Sequence, residues 1–338
     1  MKEDNSILIL GDGGIAQAVF YYFKKLSFIK KIRIVSFHQP SLRFFKESSL
    51  IISCIPGKYG ALGLEKALEF EKDLLDIADL DPPFYLKRKN KIKKAGITVI
   101  PGCGFCPGLI NFIVGREIFI DEEIDGIKIK VGSFSKEKFY FPFLWCFEDL
   151  IQEHRLSSLQ IISGKKIKLP AFAGYQKEEF LGIPLESYFS VSGFENILKK
   201  KKFQDFHFRV IRPEGFMIFF NFLKNYDFFN KENLKNTKTM LEAVRHDNYT
   251  FATIEFFKKD KKAISWEISS FSRAKQILNS MQKITAVIPV ILARVLLLRR
   301  FNFGGLIFME DLAKDNFIFN QILDFLKKEK IILKRRSE

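Results

Sequence analysis

Histidine and cysteine are scarce in this chain, which has four of each in 338 residues. Cys103 and Cys106 form one C-x-x-C pair, but no second pair follows, and the histidines are scattered. We therefore expect no metal site and no disulfide framework, and a metal or redox role for the pair is the less favoured alternative. A G-x-S-x-G nucleophile elbow is also missing, which argues against a serine hydrolase.

Long apolar runs are missing as well. Residues Met1–Asp4 lack the apolar segment of a secretory signal, so we expect a cytoplasmic protein with reduced cysteines. The most apolar stretch, Ile284–Leu298, is interrupted by Arg294 and is too short to span a bilayer comfortably. It predicts a buried helix and no membrane association.

Acidic residues are outnumbered, with 39 Asp and Glu against 55 Lys and Arg, for a formal net charge of +16. The basic residues form only short runs, such as Lys199–Lys202 and Lys258–Lys262. None of these runs alternates with stacking aromatics as in a nucleic-acid-binding module. A solvated basic surface is therefore expected, and nucleic-acid binding is the less favoured alternative.

The first third of the chain alternates apolar runs with helical patterns. Ser6–Leu10 is typical of a strand buried on both faces, Ile15–Lys25 of a helix, and Ile32–Val35 of a second strand. Further strands are predicted at Leu50–Ser53, Asp73–Ile77 and Ile97–Ile100. This alternation predicts an α/β fold whose residues 1–120 form a Rossmann-type parallel sheet with a dinucleotide-binding role.

The pattern changes after residue 120. Ile124–Val131 alternates apolar and charged residues, as a half-buried strand does. Helices are predicted at Phe147–Glu153, at Gly215–Lys224 and at Ser270–Leu298, the last broken or kinked at Pro289. We predict that residues 121–300 form an α+β domain with a mixed sheet, for substrate binding and dimerisation. The C-terminal segment, 301–338, is expected to pack back on the first domain.

A glycine-rich turn follows the first predicted strand. Gly11, Gly13 and Ala16 match G-x-G-x-x-A, in which the first glycine permits a tight turn and the second allows the backbone to approach a pyrophosphate. Ala16 permits close packing of helix and strand, and the helix N-terminus, with Gly14 and Ile15, offers free N–H groups to phosphate. The context of strand, turn and helix favours dinucleotide binding over a purely structural turn.

The end of the second strand differs from that of a typical NAD-binding fold. No Asp or Glu for the ribose is present, whereas Ser36 and His38, with Arg33 and Arg43 nearby, suit a 2′-phosphate. NADP is therefore the predicted cofactor, with NAD as the alternative. Few residues separate Val35 from the strand at Leu50, so an extra β-α unit on the adenine side is expected to be missing and the sheet to be shortened.

Several moderately specific segments follow one another over nearly the whole chain. They are Ile7–Ala16, Ile51–Pro56, Asp76–Asp79, Gly102–Asn111, Trp145 with Glu148–Leu150 and Gly164–Lys165, Arg212–Gly215, and Met281–Ala286 with Gly304–Gly305. By their order and spacing these segments resemble the saccharopine dehydrogenase family, in particular its saccharopine-reductase and carboxynorspermidine-dehydrogenase branch.

The resemblance implies an NAD(P)H-dependent oxidoreductase that reduces an imine, formed between an amine and an aldehyde or keto group, to a secondary amine. It also implies a homodimer built through the second domain. Ser53, Ile55 and Pro56 resemble the strand end that the family places beside the nicotinamide, which makes them cofactor-binding candidates.

Candidate substrate-handling residues follow from this chemistry. Asp79 is the candidate for proton transfer, and capping of the next helix is an equally weighted alternative. Arg212 is the candidate anchor for a substrate carboxylate, and a surface ion pair is the more favoured alternative. Trp145 either walls the substrate site or packs in the core. Cys103 and Gly104 lie in a turn predicted to approach the substrate.

Two hypotheses from different classes remain. The first is a reductase of the saccharopine type, acting on an aminoadipate semialdehyde and glutamate pair or on a carboxylated polyamine imine. The second is a non-catalytic binding or regulatory protein that keeps the fold but has lost adenine recognition. The glycine turn and Asp79 favour the first hypothesis, and the missing adenine-side unit favours the second.

Overall fold

The protein is described from a computed structural model that covers residues 5–337, apart from residues 28, 39, 79, 136, 138–144, 243–244 and 299–303. The chain divides into two compact units, each described by itself. The first unit comprises Met1–Glu122, Gly193–Lys201 and Gln282–Glu329. The second unit comprises Glu123–Ser192, Lys202–Met281 and Lys330–Glu338.

The helices and strands follow one another along the chain in three stretches. Up to residue 122 they are β1 (Ser6–Leu10), α1 (Gly14–Phe23), β2 (Lys31–Val35), α2 (Leu42–Glu47), β3 (Leu50–Ser53), α3 (Ala61–Phe70), β4 (Asp73–Asp76), α4 (Pro82–Leu86), α5 (Lys89–Lys94), β5 (Thr98–Pro101) and α6 (Leu109–Ile120). Up to residue 213 they are β6 (Gly126–Phe134), α7 (Phe147–Glu153), β7 (Ser158–Ile162), β8 (Lys165–Leu169), β9 (Gln176–Phe180), β10 (Ile183–Phe189), α8 (Glu195–Lys200) and β11 (Asp205–Pro213). The remainder are α9 (Phe216–Asn225), α10 (Leu234–Glu242), β12 (Asn248–Lys258), β13 (Lys261–Ser272), α11 (Ser280–Leu297), β14 (Gly305–Leu306), α12 (Met309–Leu312), α13 (Asn316–Lys328) and β15 (Ile332–Ser337).

The sheet of the first unit is parallel throughout. Among the described residues six strands pair in the order β14-β5-β4-β3-β1-β2. Strands β1 and β3 to β5 are buried almost entirely, because the helices of βαβ units cover both faces of such a sheet. The predicted Rossmann-type parallel sheet is confirmed. In the described part of the chain β2 is an edge strand, so the sheet is shortened on that side, as predicted.

The second unit is built on a mixed sheet. Its strands pair in the order β15-β13-β12-β6-β11-β10-β9, and β7 pairs with both β11 and β8. Strands β6 and β11 run parallel, whereas the pairs on either side of them are antiparallel. The alternation seen at Ile124–Val131 becomes β6, in which Ile127 and Ile129 are buried and Lys128 is exposed. The predicted α+β architecture with a mixed sheet is thus confirmed.

Two predictions about the region after residue 260 were wrong in part. The helix predicted at Ser270–Leu298 begins only at Ser280, because β13 continues to Ser272 in a hairpin with β12. The helix then runs through Pro289 without interruption. The second unit begins at Glu123, close to the predicted boundary after residue 120, and residues 304–329 fall in the first unit, with which the C-terminal segment was expected to pack. However, Gln282–Glu329 begins before the predicted boundary at 300, and Lys330–Glu338 falls in the second unit. Helix α11 is apolar on most of its surface. The sequence of such a helix does not indicate which of the two units it packs in.

Helix α11 is long and apolar enough to cross a bilayer by length and composition, with a mean hydropathy of 1.6 over Ser280–Leu297. However, 67% of that window is buried within the protein, as in a core helix. It is the one helix of this kind among the residues that the structure describes.

Candidate functional site

The glycine-rich turn has the geometry that its sequence predicts. Gly11 has a φ of +114°, and a Cβ at this position would lie 2.5 Å from the carbonyl oxygen of Cys54, so only glycine fits. Gly13 is the N-cap of α1, and a Cβ there would meet nothing within 4 Å. Ala16 is fully buried against the sheet. The turn therefore leaves open space in front of Gly13, at the positive end of α1, whereas a Cβ at Gly14 would lie 2.6 Å from Nε2 of Gln282.

The segments that follow the strands lie side by side at the carboxyl edge of the sheet. The amide of Gly11 donates to the carbonyl of Val35 (2.8 Å), and that of Cys54 donates to Leu10 (2.8 Å). Further along the edge, Ile77 donates to Ser53 (2.9 Å). This edge is where ligands bind in open parallel sheets. The sequence-predicted residues Gly11, Ser53, Ile55, Pro56 and Cys103 are thus brought to one edge.

Burial limits what some of these residues offer a ligand. The side chains of Ser53 and Ile55 are 0% and 4% exposed, so their contribution at the edge is the backbone. Ser36 and Pro56 are half-buried. Asp79, the predicted proton-transfer residue, lies outside the described residues, and its role stays a prediction.

Asp76 is a buried carboxyl group that the sequence analysis did not single out. It ends β4 opposite Ser53 and is 0% exposed. Its Oδ1 accepts a hydrogen bond from the amide of Ala78 (2.9 Å), and its Oδ2 accepts one from the hydroxyl of Tyr85 (2.8 Å). Burial raises the pKa of Asp76 to about 6, although these hydrogen bonds oppose the shift.

The raised pKa of Asp76 predicts a pH-dependent stability. The folded protein binds the Asp76 proton more tightly than the unfolded chain does. The contribution of this group to stability is therefore greatest below pH 4 and falls by about 3 kcal/mol as the pH rises through 6. Urea unfolding of the wild type and of Asp76→Asn should give a difference in free energy that shrinks by this amount between pH 4 and 7. In Tyr85→Phe the pH range over which this stability is lost should move to higher pH, because a hydrogen bond to the charged form of Asp76 is lost. A pH-independent difference would contradict this assignment.

The segment Gly102–Asn111 forms a tight turn with a cis peptide bond between Cys106 and Pro107. Gly108 has a φ of +142°, and its amide donates to Oδ1 of Asn111 (3.0 Å). The amide of Leu109 donates to the carbonyl of Gly104 (3.0 Å), which draws the two ends of the turn together. The turn holds Gly104 beside Ile77, whose Cγ2 would lie 3.3 Å from a Cβ at this glycine.

Cys103 is buried beneath this turn. Its amide and its thiol both donate to the carbonyl of Asp76, at 3.1 and 3.4 Å. Burial, with the nearby Asp76 charge, raises the pKa of the Cys103 thiol well above its usual value. The thiol is therefore neutral and unsuited to metal binding or nucleophilic attack. Among the described residues no group of three or more His, Cys, Asp or Glu side chains could hold a metal ion.

Arg33 and Arg43, which suit a 2′-phosphate by their sequence positions, both pair with Glu47. The Arg33 Nη2 lies 3.1 Å from Oε2 of Glu47, and Arg43 bonds the other carboxylate oxygen. Hydrogen bonds from Lys31 and Arg43 lower the pKa of Glu47 to about 2. Both arginines are thus already engaged by a carboxylate, and binding of a 2′-phosphate by them stays a prediction.

In the second unit Arg212 lies in a buried cluster. Its side chain is 3% exposed, and its Nη2 donates to Oε2 of Glu153 (2.8 Å). The guanidinium carbon lies 5.5 Å from the ring centroid of Trp145, within cation–π range. The structure thus brings Trp145 and Arg212 together. Arg212 forms a buried ion pair, and its Nε finds no acceptor among the described residues.

His154 belongs to the same cluster and is neutral. Burial and the charge of Arg212 lower its pKa well below the usual value. Its Nδ1 lies 2.7 Å from the carbonyl of Leu150, which can only accept, so the proton is on Nδ1. Glu153, His154 and Asp76 were missed in the sequence because no local pattern marks a polar group that long-range packing buries.

No protein-family model and no curated protein matches the chain. Solved structures do. The apo form of saccharopine dehydrogenase (L-Glu forming) from Saccharomyces cerevisiae matches with a TM-score of 0.77 and 14% identity, over 99% of this chain and 100% of that chain. The DAP dehydrogenase of C. glutamicum has a TM-score of 0.46 and 10% identity, over 96% and 99% of the two chains. The first match shows that this chain has a saccharopine dehydrogenase-like fold, as the sequence resemblance implied.

Proposed function

We propose that the protein is an NAD(P)H-dependent oxidoreductase of the saccharopine dehydrogenase type. The observation that carries the proposal is the open glycine turn at the N-terminus of α1, on a sheet with a saccharopine dehydrogenase-like fold. The space before Gly13 and the free N–H groups of α1 suit a pyrophosphate. A bound dihydronicotinamide would supply the hydride for reduction of a C=N bond.

The proposed substrate is an imine formed between an amino-acid amine and a carbonyl compound. An aminoadipate semialdehyde with glutamate is the first choice, and a carboxylated polyamine imine is the second. Asp79 would exchange protons with the departing carbinolamine oxygen. The Arg212 side chain is 3% exposed and paired with Glu153, so we do not retain it as the anchor for a substrate carboxylate. We further propose a homodimer that works in a reducing cytoplasm.

Cofactor titration tests the proposal directly. Purified protein should show saturable changes in nicotinamide fluorescence with NADPH, and with NADH. In Gly13→Asp a carboxylate would occupy the phosphate position, so we expect cofactor binding to be lost while the melting temperature is nearly unchanged. Gly304→Asp is the matched control, because a Cβ at this exposed glycine also meets nothing within 4 Å. Equal binding by both variants would remove the glycine turn from the site.

A non-catalytic binding protein is the second candidate, and the edge position of β2 favours it. Among the described residues no further strand covers β2 on the adenine side. An assay of NADPH oxidation with mixed amine and aldehyde or keto substrates separates the two candidates. Turnover that is abolished in Gly13→Asp would establish the reductase. Absence of both cofactor binding and turnover on any pair would favour the binding protein.

A further inference from the structure

Three aromatic rings meet at the carboxyl edge of the first sheet. Phe37 and His38 follow β2, and Tyr59 belongs to the 3-10 turn Gly57–Tyr59 after β3. The ring centroids of Phe37 and Tyr59 lie 5.0 Å apart, and those of Phe37 and His38 lie 4.2 Å apart. Tyr59 is 42% exposed. These three rings, which we call the aromatic cluster, present a partly solvent-exposed π surface.

The position of the aromatic cluster relates it to the glycine turn. Strand β1 pairs with β2 on one side and with β3 on the other. Rings that follow β2 and β3 can touch only by meeting across the carboxyl end of β1, where the glycine turn begins. In Rossmann-type sheets the adenosine half of a dinucleotide lies on the β2 side of that turn. The aromatic cluster therefore lies where the adenosine would extend from a pyrophosphate bound at Gly13.

The charges near the aromatic cluster offer little to the ribose. Residues 36–38 include no carboxylate that could accept from a 2′-hydroxyl. Arg33 and Arg43, the cations nearest to Phe37 and His38 in sequence, are both paired with Glu47, whereas the Nζ of Lys58 lies 5.4 Å from the ring centroid of Tyr59. The Arg33 guanidinium also lies 4.2 Å from the ring centroid of Phe44, which fixes it further. What remains for recognition of the nucleotide is the ring of Tyr59, which is 42% exposed, with the flexible side chain of Lys58 beside it.

We propose that the aromatic cluster is the adenine-recognition surface of this protein, with Tyr59 as the ring on which the base stacks. The inference rests on the proposed function, since it extends the same cofactor site. Stacking on an aromatic side chain is independent of the 2′-substituent. Tyr59 therefore contributes equally to NADPH and NADH affinity. On the shortened side of the sheet the protein recognises the adenine base and not the ribose.

The test compares dissociation constants of NADPH, NADH and ADP for the wild type and four variants. Loss of one stacking ring is expected to weaken binding by about 5- to 150-fold, so Tyr59→Ala should weaken all three ligands by a similar factor in this range. Tyr59→Phe keeps the ring and should bind as the wild type does. Tyr59→Leu keeps apolar bulk but lacks a π face, so it should show the same loss of affinity as is expected for Tyr59→Ala. It provides the test if the alanine variant folds poorly. Tyr226→Ala, at a tyrosine of the second unit that is 67% exposed, is the matched control.

The outcomes separate this inference from the proposed function. Unchanged affinity in Tyr59→Ala and Tyr59→Leu, with normal binding by the wild type, overturns the adenine surface and leaves the glycine turn in place. Tighter binding by these variants also overturns it, because the rings would then block the cleft. ADP binding that depends on Tyr59, without NADPH or NADH binding, supports the surface and refutes the reductase. A wild type that binds none of the three ligands overturns both.

Discussion

Replacement of Gly108 by alanine is expected to lower the free energy of unfolding by more than about 4 kcal/mol. A Cβ at Gly108 would lie 1.9 Å from the carbonyl oxygen of Gly104, which is backbone and cannot move aside without opening the turn. The φ of +142° adds strain for any residue with a side chain. Because the displaced turn covers Cys103 and Asp76, the whole carboxyl edge of β4 and β5 would be disturbed.

Gly96→Ala is the matched control for this substitution. Gly96 also has a positive φ, of +68°, but a Cβ there would meet nothing within 4 Å. Its replacement should cost only the conformational penalty, about 1 kcal/mol. Urea unfolding of the two variants measures the difference. Equal losses would show that the close contact between Gly104 and Gly108 is not what requires glycine.

The second large effect is expected at the buried pair of Glu153 and Arg212. The Arg212 side chain is 3% exposed, and Glu153→Ala would leave its guanidinium without a paired carboxylate. This should lower the free energy of unfolding by about 3–5 kcal/mol. The guanidinium cannot lose its proton to relieve the burial. By contrast, Arg212→Met leaves a carboxyl group that can take up a proton. Burial already raises the pKa of Glu153, and loss of Arg212 would raise it further.

The two variants should therefore differ in their pH dependence. Stability lost in Arg212→Met should be partly recovered as the pH is lowered from 7 to 5, whereas the loss in Glu153→Ala should persist. Chemical denaturation at several pH values measures both. The exposed Arg43→Ala, which also removes one partner of an arginine–glutamate pair, should change stability little, because solvent screens that pair. A Glu153→Ala protein as stable as the wild type would mean that the pair is not formed in solution.

Local patterns were sufficient for the strands and turns of the first sheet. The apolar run at Ser6–Leu10 and the glycines after it could be assigned because a buried parallel strand and a tight turn each leave a mark within a few residues. Helix α7 was predicted at Phe147–Glu153, where the structure has it. These elements depend on neighbours in the sequence.

The parts that could not be predicted depend on contacts between distant residues. The sequence predicts only that Asp76 lies near the end of a strand. The hydrogen bond that the Tyr85 hydroxyl donates to its carboxylate is seen only in the fold. The pairing of Arg212 with Glu153 likewise joins residues far apart in the chain. Strand β13 was not predicted, and its end at Ser270–Ser272 was assigned to the helix that follows. Its pairing with β12 and β15, which determines the strand, cannot be read from one sequence.

The placement of β14 has a consequence for synthesis of the chain on the ribosome. The outer edge of β5 is completed only when Gly305 donates to the carbonyl of Ile97 (2.9 Å) and Ile307 donates to Val99 (3.0 Å). At ordinary translation rates roughly 10 to 40 seconds pass between the emergence of β5 and that of β14. During this interval β5 has an open edge of unpaired backbone groups, which invites pairing with other nascent chains. Strand β15 completes an edge of the second sheet later still, so a ribosome that stalls before residue 305 releases a chain with both sheets unfinished.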